Sequence, residues 1–175
     1  MPAFAERLAP EQVAAIRREA TDAATNILEK YWDTDTFPVD PFEIATRYGA
    51  EVHRGDMPED VEGLFRPKGD QYKLPQIWVD TDYSFVRQRF TCAHELGHMV
   101  EDGETSQIDR RRDDNSAKGS DPHEVYANAF AAELLMPGYA VRQLWQLGAD
   151  LFSLASFFGV SKPSMEYRLK NLRLI

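Results

Sequence analysis

Two histidines four residues apart, with a glutamate between them, are the side chains best equipped for chemistry in this sequence: His94-Glu95-Leu96-Gly97-His98. On a helix, positions four apart lie one above the other on one face, so both imidazoles can aim at one point. Neutral imidazole suits a borderline cation such as Zn²⁺. Glu95 is turned about 100° from His94. From there it can take a proton from an attacking water without ligating the metal, as the general base of a metallopeptidase does. The pentapeptide also occurs on ordinary amphipathic helices, so its flanks decide. Phe85 to Ala93 precede it without Gly or Pro, and Phe85, Phe90, Ala93, Leu96 and Val100 keep a helical register. Asp82 or Ser84 can cap this helix, and Gly103 can end it.

Zinc in a catalytic site needs a third protein ligand and an open fourth position. A third histidine further along the same segment is excluded, because His98 is followed by Met99-Val100-Glu101-Asp102-Gly103-Glu104. A second helix is the other source. Asp121 is a good N-cap, Pro122 fits the first helical position, and Pro137 stops the run. Three residues on this helix compete. Glu124 lies in its first turn, but Asp121-x-x-Glu124 also fits a capping box that would turn Glu124 back to the cap. His123 is about 100° around the helix from it, and Glu133 lies near the other end. Asn128, four residues past Glu124, could hold a ligand histidine through its second ring nitrogen.

The two segments together resemble the ImmA/IrrE family of metallopeptidases, small bacterial and phage enzymes with a gluzincin-like core. The resemblance is carried by His94-Glu95-Leu96-Gly97-His98 followed by Glu124-x-x-Ala127-Asn128-x-Phe130-Ala131-Ala132-x-Leu134-Leu135-Met136-Pro137. Asp40-Pro41-Phe42-Glu43-Ile44-Ala45, Glu62-Gly63-Leu64-Phe65, Ile77-Trp78-Val79-Asp80 and Phe157-Phe158-Gly159-Val160-Ser161 extend it over most of the chain. It implies Glu124 as the third zinc ligand. It also implies a protein substrate, a helix-turn-helix transcriptional repressor.

These residues need a scaffold. The chain's 175 residues are enough for one domain with a sizeable core. No apolar run approaches membrane-spanning length, and Met1 to Arg7 lack a signal-peptide core. The single cysteine, Cys92, excludes an internal disulfide, fits a reducing cytoplasm, and reads as a small core residue. A net charge of −9 argues against general nucleic-acid affinity and is compatible with a basic protein partner.

Pro10 to Tyr31 carry a helical stripe, and Asp40 to Gly49 form a second, capped helix. Strands are expected at Ala50 to His53, Val61 to Arg66 and Gln76 to Asp80. An edge at Glu62–Phe65 or Ile77–Val79 could accept a substrate as an added strand. Glu101 to Asp121 hold seven acidic and four basic side chains and read as a solvated loop beside the cleft. Leu151 to Leu172 resemble a helix-turn-helix, with Gly159 in the turn and Ser161 as cap. Only four basic side chains lie beyond Asp150, too few for a typical DNA reader.

The expected architecture is α+β: a small three-stranded sheet, a zincin-like helical core and C-terminal helices. It forms one domain over 1–175, with a catalytic core at 1–149 and a tail at 150–175. The expected function is a cytoplasmic zinc endopeptidase, with His94, His98 and Glu124 on the metal and Glu95 as base. Its partner is a DNA-binding repressor, without direct nucleic-acid or membrane binding. His123, Tyr126 and Tyr139 are candidate oxyanion donors. The alternatives are a non-catalytic module that sequesters a repressor or antitoxin-like partner, and a DNA-binding regulator that uses Lys162, Arg168 and Lys170.

Overall fold

The computed structural model describes residues 8–103, the backbone of 110–112, and residues 121–175. Helix α1 (Pro10–Tyr31) and helix α2 (Pro41–Tyr48) come first, followed by strands β1 (Glu51–Gly55), β2 (Gly63–Arg66) and β3 (Gln76–Asp80). Helix α3 (Phe85–Asp102), strand β4 (Arg110–Arg112) and helices α4 (Pro122–Leu135), α5 (Gly138–Gln146), α6 (Leu151–Phe158) and α7 (Lys162–Asn171) complete the order. No helix among the described residues is long and apolar enough to cross a membrane.

The helix boundaries follow local chemistry. Asp40 accepts from Phe42 N at 2.9 Å and Glu43 N at 3.3 Å, and Gly49 closes α2 in the left-handed region with φ 118°. Asp121 accepts from His123 N at 2.9 Å, with Pro122 at the first helical position of α4. Ser161 accepts from Ser164 N at 3.2 Å and opens α7. Ser84 occupies the N-cap position of α3 without a side-chain cap bond, and Gly103 ends that helix with φ 74°.

The sheet has the order β1-β3-β2-β4. β1 and β3 run parallel, while β2 pairs antiparallel with β3 on one side and with β4 on the other. The three expected strands are present, with β1 shifted to Glu51–Gly55 and β2 shortened to Gly63–Arg66. The β2 start follows Asp60, whose φ of 67° breaks extended backbone just before it. β4 is an addition within the stretch expected to be a loop. β3 and β2 each have a partner on both sides, so neither Ile77–Val79 nor Glu62–Phe65 is an edge.

Phe65, Ile77 and Val79 turn from the sheet into a core shared with Cys92, Ala93, Leu96 and Met99 of α3 and Phe130, Ala131 and Leu134 of α4. The C-terminal helices belong to the same core, through Leu154, Phe158, Met165 and Leu169. Two arginines tie them in crosswise. Arg89 of α3 donates to Gly159 O at 3.1 Å and Phe158 O at 3.2 Å, at the end of α6. Arg168 of α7 donates to Met136 O at 3.0 Å, at the end of α4, and pairs with Glu133. Phe157 touches Phe37 at 5.3 Å between ring centroids but stays 44% exposed.

Candidate metal centre

Helices α3 and α4 approach closely because Gly97 has no side chain. A Cβ there would stand 3.1 Å from Ala127 Cα and 3.2 Å from Phe130 Cβ. This contact brings the first turn of α4 against His94 and His98. His94 Nε2 lies 3.1 Å from His98 Nε2 and 3.3 Å from Glu124 Oε2, and His98 Nε2 lies 3.2 Å from Glu124 Oε1. Both histidines are fully buried, and the Glu124 side chain is 12% exposed. Burial pushes the Glu124 carboxyl up, but hydrogen bonds and charge from the two histidines outweigh it and hold the group well below the usual carboxylate range.

His94 Nδ1 donates to Asn128 Oδ1 at 3.1 Å, since an amide oxygen only accepts. That bond turns the Nε2 of His94 toward the cluster. Two ring nitrogens and a carboxylate converge within 3.3 Å of one another, a spacing that a bound cation would satisfy. Donor separations of 3.1–3.3 Å also match a tetrahedral ion with bonds of about 2.0–2.1 Å. The donor set therefore fits Zn²⁺, and it is a group of His and Glu side chains able to hold a metal ion.

Glu95 is fully buried, next to β2: a Cβ on Gly63 would lie 3.1 Å from Glu95 Oε1 and collide with Thr91 Cγ2. The rival third ligands are turned elsewhere. His123 Nδ1 bonds Glu101 Oε1 at 2.9 Å, and Glu133 pairs with Arg168 and accepts from Gly138 N at 3.0 Å. Glu124 does not close a capping box, because its carboxylate reaches the two imidazoles. The oxyanion candidates fare less well. Tyr139 donates to Thr34 O at 2.6 Å, and Tyr126 is buried, which pushes its phenol up to about 12. A groove of about 1110 Å³ leads away from the cluster, with Glu124, Asn128 and Ala132 on one wall, Val86 and Phe90 on another, and Tyr167 beyond.

The model of the IrrE N-terminal-like domain, a peptidase family, matches residues 45–170, a span that contains both ligand-bearing helices. The chain belongs to the ImmA/IrrE family. An "uncharacterized immunity region protein 2" of Bacillus phage phi105 is 27% identical over 156 residues, covering 86% of this chain and 87% of that protein. A solved Mycobacterium tuberculosis transcriptional regulator aligns over 93% of this chain with a TM-score of 0.47 and 17% identity; the chain spans 47% of that structure. Membership in the ImmA/IrrE family implies a metallopeptidase.

Sequence reasoning missed two features around the cluster. Glu62 is 2% exposed and takes a two-pronged bond from Arg87 at 2.7 and 2.8 Å, on the rim of the groove. Gly63 lets β2 approach Glu95. The Glu-Gly pair at 62–63 carried no periodic signal; a glycine inside an expected strand was the only cue to a close approach.

Proposed function

We propose that this protein is a zinc-dependent endopeptidase that cuts a partner protein, a helix-turn-helix transcriptional repressor. The observation that carries the catalytic part is the convergence of His94, His98 and Glu124 at 3.1–3.3 Å beside a buried Glu95. His94, His98 and Glu124 would hold Zn²⁺, with Asn128 fixing the tautomer and ring orientation of His94. A bound Zn²⁺ supplies Lewis acidity, which polarises a scissile carbonyl and acidifies a water. Glu95 takes the proton of the attacking water and passes it to the leaving amine. Its buried position strengthens that interaction by excluding bulk water.

The partner rests on family membership and on the relative named for a phage immunity region. A net charge of −9 is compatible with a basic DNA-binding partner. Direct DNA reading by the tail has less support. Arg168 is buried against Glu133, Lys170 pairs with Glu166 at 2.6 Å, and Lys162 sits 4.7 Å from the Phe152 ring centroid.

The decisive experiment compares metal content in the native protein and in His98→Ala and Glu124→Ala, followed by cleavage of a candidate repressor. About one zinc per native chain is expected, lost in both variants. Glu95→Gln should keep metal and fold while cleavage falls by at least about 100-fold. Zinc retained in Glu124→Ala, or normal cutting by Glu95→Gln, would overturn the assignment.

A further inference from the structure

Helix α3 carries Arg87, Thr91 and Glu95 four residues apart, so the three form one stripe, about 12 Å long, on a single face. The first residues of β2 and the residue before it are laid along that stripe. At its outer end the buried Glu62 takes two bonds from Arg87, Nη2 to Oε1 at 2.7 Å and Nε to Oε2 at 2.8 Å. One residue on, a Cβ on Gly63 would collide with Thr91 Cγ2 and stand 3.1 Å from Glu95 Oε1. The backbone of Glu62 is tied as well, its carbonyl accepting from Asp80 N at 2.9 Å at the end of β3. A buried carboxylate needs a partner, and a two-pronged bond from arginine fixes both distance and angle. Glu62 and Gly63 are consecutive, so whatever holds Glu62 on α3 also holds the Gly63 backbone against Glu95. That backbone, with Thr91 one turn earlier, walls the fully buried Glu95 carboxylate and limits the rotamers open to it. A general base works only from a narrow range of positions, set by the groups behind it.

We propose that Arg87 and Glu62 are positioning residues for Glu95. Their ion pair sets the distance between β2 and α3, and so the place of the Glu95 carboxylate relative to the cluster of His94, His98 and Glu124. The role of Glu95 as base rests on the peptidase reading; the packing of Gly63 against it does not. Without Arg87 the Glu62 carboxylate is left buried and alone, so it moves toward water and takes the Gly63 backbone with it. Glu95 then gains room and loses its fixed aim, while the three ligands, held by α3 and α4, stay in place.

The test compares the zinc-loaded native chain with Arg87→Met, Arg87→Lys, Glu62→Gln and Glu95→Gln. The probe is acetohydroxamic acid, whose two oxygens can take a metal and whose acidic proton calls for a carboxylate nearby; its affinity is read by calorimetry. Zinc content should be the same in all five proteins. Arg87→Met should weaken the probe by about tenfold, toward the value of Glu95→Gln. Arg87→Lys keeps a cation for Glu62 and should recover most of that loss. Glu62→Gln keeps the shape without the charge and should show part of it. Amide exchange at residues 61–64 should quicken in Arg87→Met and slow again in Arg87→Lys. With a repressor that is cut, Arg87→Met should lower kcat and leave KM little changed. Native-like probe binding by Arg87→Met and Glu62→Gln overturns the proposal, as does an equal loss in Arg87→Lys and Arg87→Met. A raised KM with unchanged kcat also overturns it, by making Arg87 a substrate contact. If Glu95→Gln binds the probe as the native chain does, Glu95 does not face the metal and the proposal falls. The peptidase reading fails separately: probe affinities in the expected order with no repressor cut sink that reading alone. A chain that takes up no zinc sinks the metal assignment and the proposal together.

Discussion

Within the cluster, Asn128 has no direct claim on the metal, yet it decides which nitrogen of His94 is free to bind. Asn128→Ala removes the acceptor at 3.1 Å from His94 Nδ1 and leaves the tautomer unfixed. Zinc affinity should fall by about 10–100-fold, read by competition with a chelating dye, with the melting temperature of the metal-free chain little changed. Cys92 makes the opposite case. It lies two residues before His94 but points into the core, fully buried, and burial pushes its thiol far up from the ordinary value. Iodoacetamide at pH 8 should leave it unmodified in the native protein and label it in urea; rapid native labelling would contradict the burial.

At the scale of elements, the distance between α3 and α4 sets the cluster, and Gly97 sets that distance. Gly97→Ala gains about 0.5–1 kcal/mol of helix propensity. The added methyl meets backbone at 3.1 Å, and overpacking of this kind costs about 1–3 kcal/mol. The clash wins: a net loss of about 1 kcal/mol in urea unfolding is expected, with weaker zinc binding as Glu124 moves from His98. A stabilised variant with unchanged zinc affinity would show that the helices tolerate the methyl. This contact was partly legible in the sequence, because His94 and His98 share a helical face whatever surrounds them. The choice among Glu124, His123 and Glu133 was not legible from spacing alone. Asp121-x-x-Glu124 satisfies a capping box and a ligand set equally well, and only the packing of α3 on α4 separates them. The caps at Asp40, Asp121 and Ser161 and the whole of β3 were readable from local chemistry. β4 was not, because three arginines among acids carry no strand pattern and only pairing with β2 makes them one.

At the scale of the whole molecule, the C-terminal helices share the core that supports the cluster. Arg168 and Glu133 are each 7% exposed, and removing one partner leaves the other charge buried and alone. Arg168→Ala should therefore cost about 3–5 kcal/mol. The double change Arg168→Met with Glu133→Leu should recover most of that loss, because a buried ion pair contributes little beyond an apolar pair of similar size. Urea unfolding of the native chain, Arg168→Met, Glu133→Leu and the double variant measures the coupling. A small loss in Arg168→Ala would mean that the C-terminal helices are attached by their apolar contacts alone.

The crosswise arginines carry a consequence for recombination between relatives. α6 has its end carbonyls closed by a side chain from α3, and α4 by one from α7. Each half of the chain thus finishes a helix of the other. A chimera that borrowed Leu151–Asn171 from another family member would inherit open carbonyls at both joints unless each arginine arrived with its backbone partner in the same helical phase. Exchange of this segment should succeed only between parents that have kept both ties, however similar their metal-binding motifs.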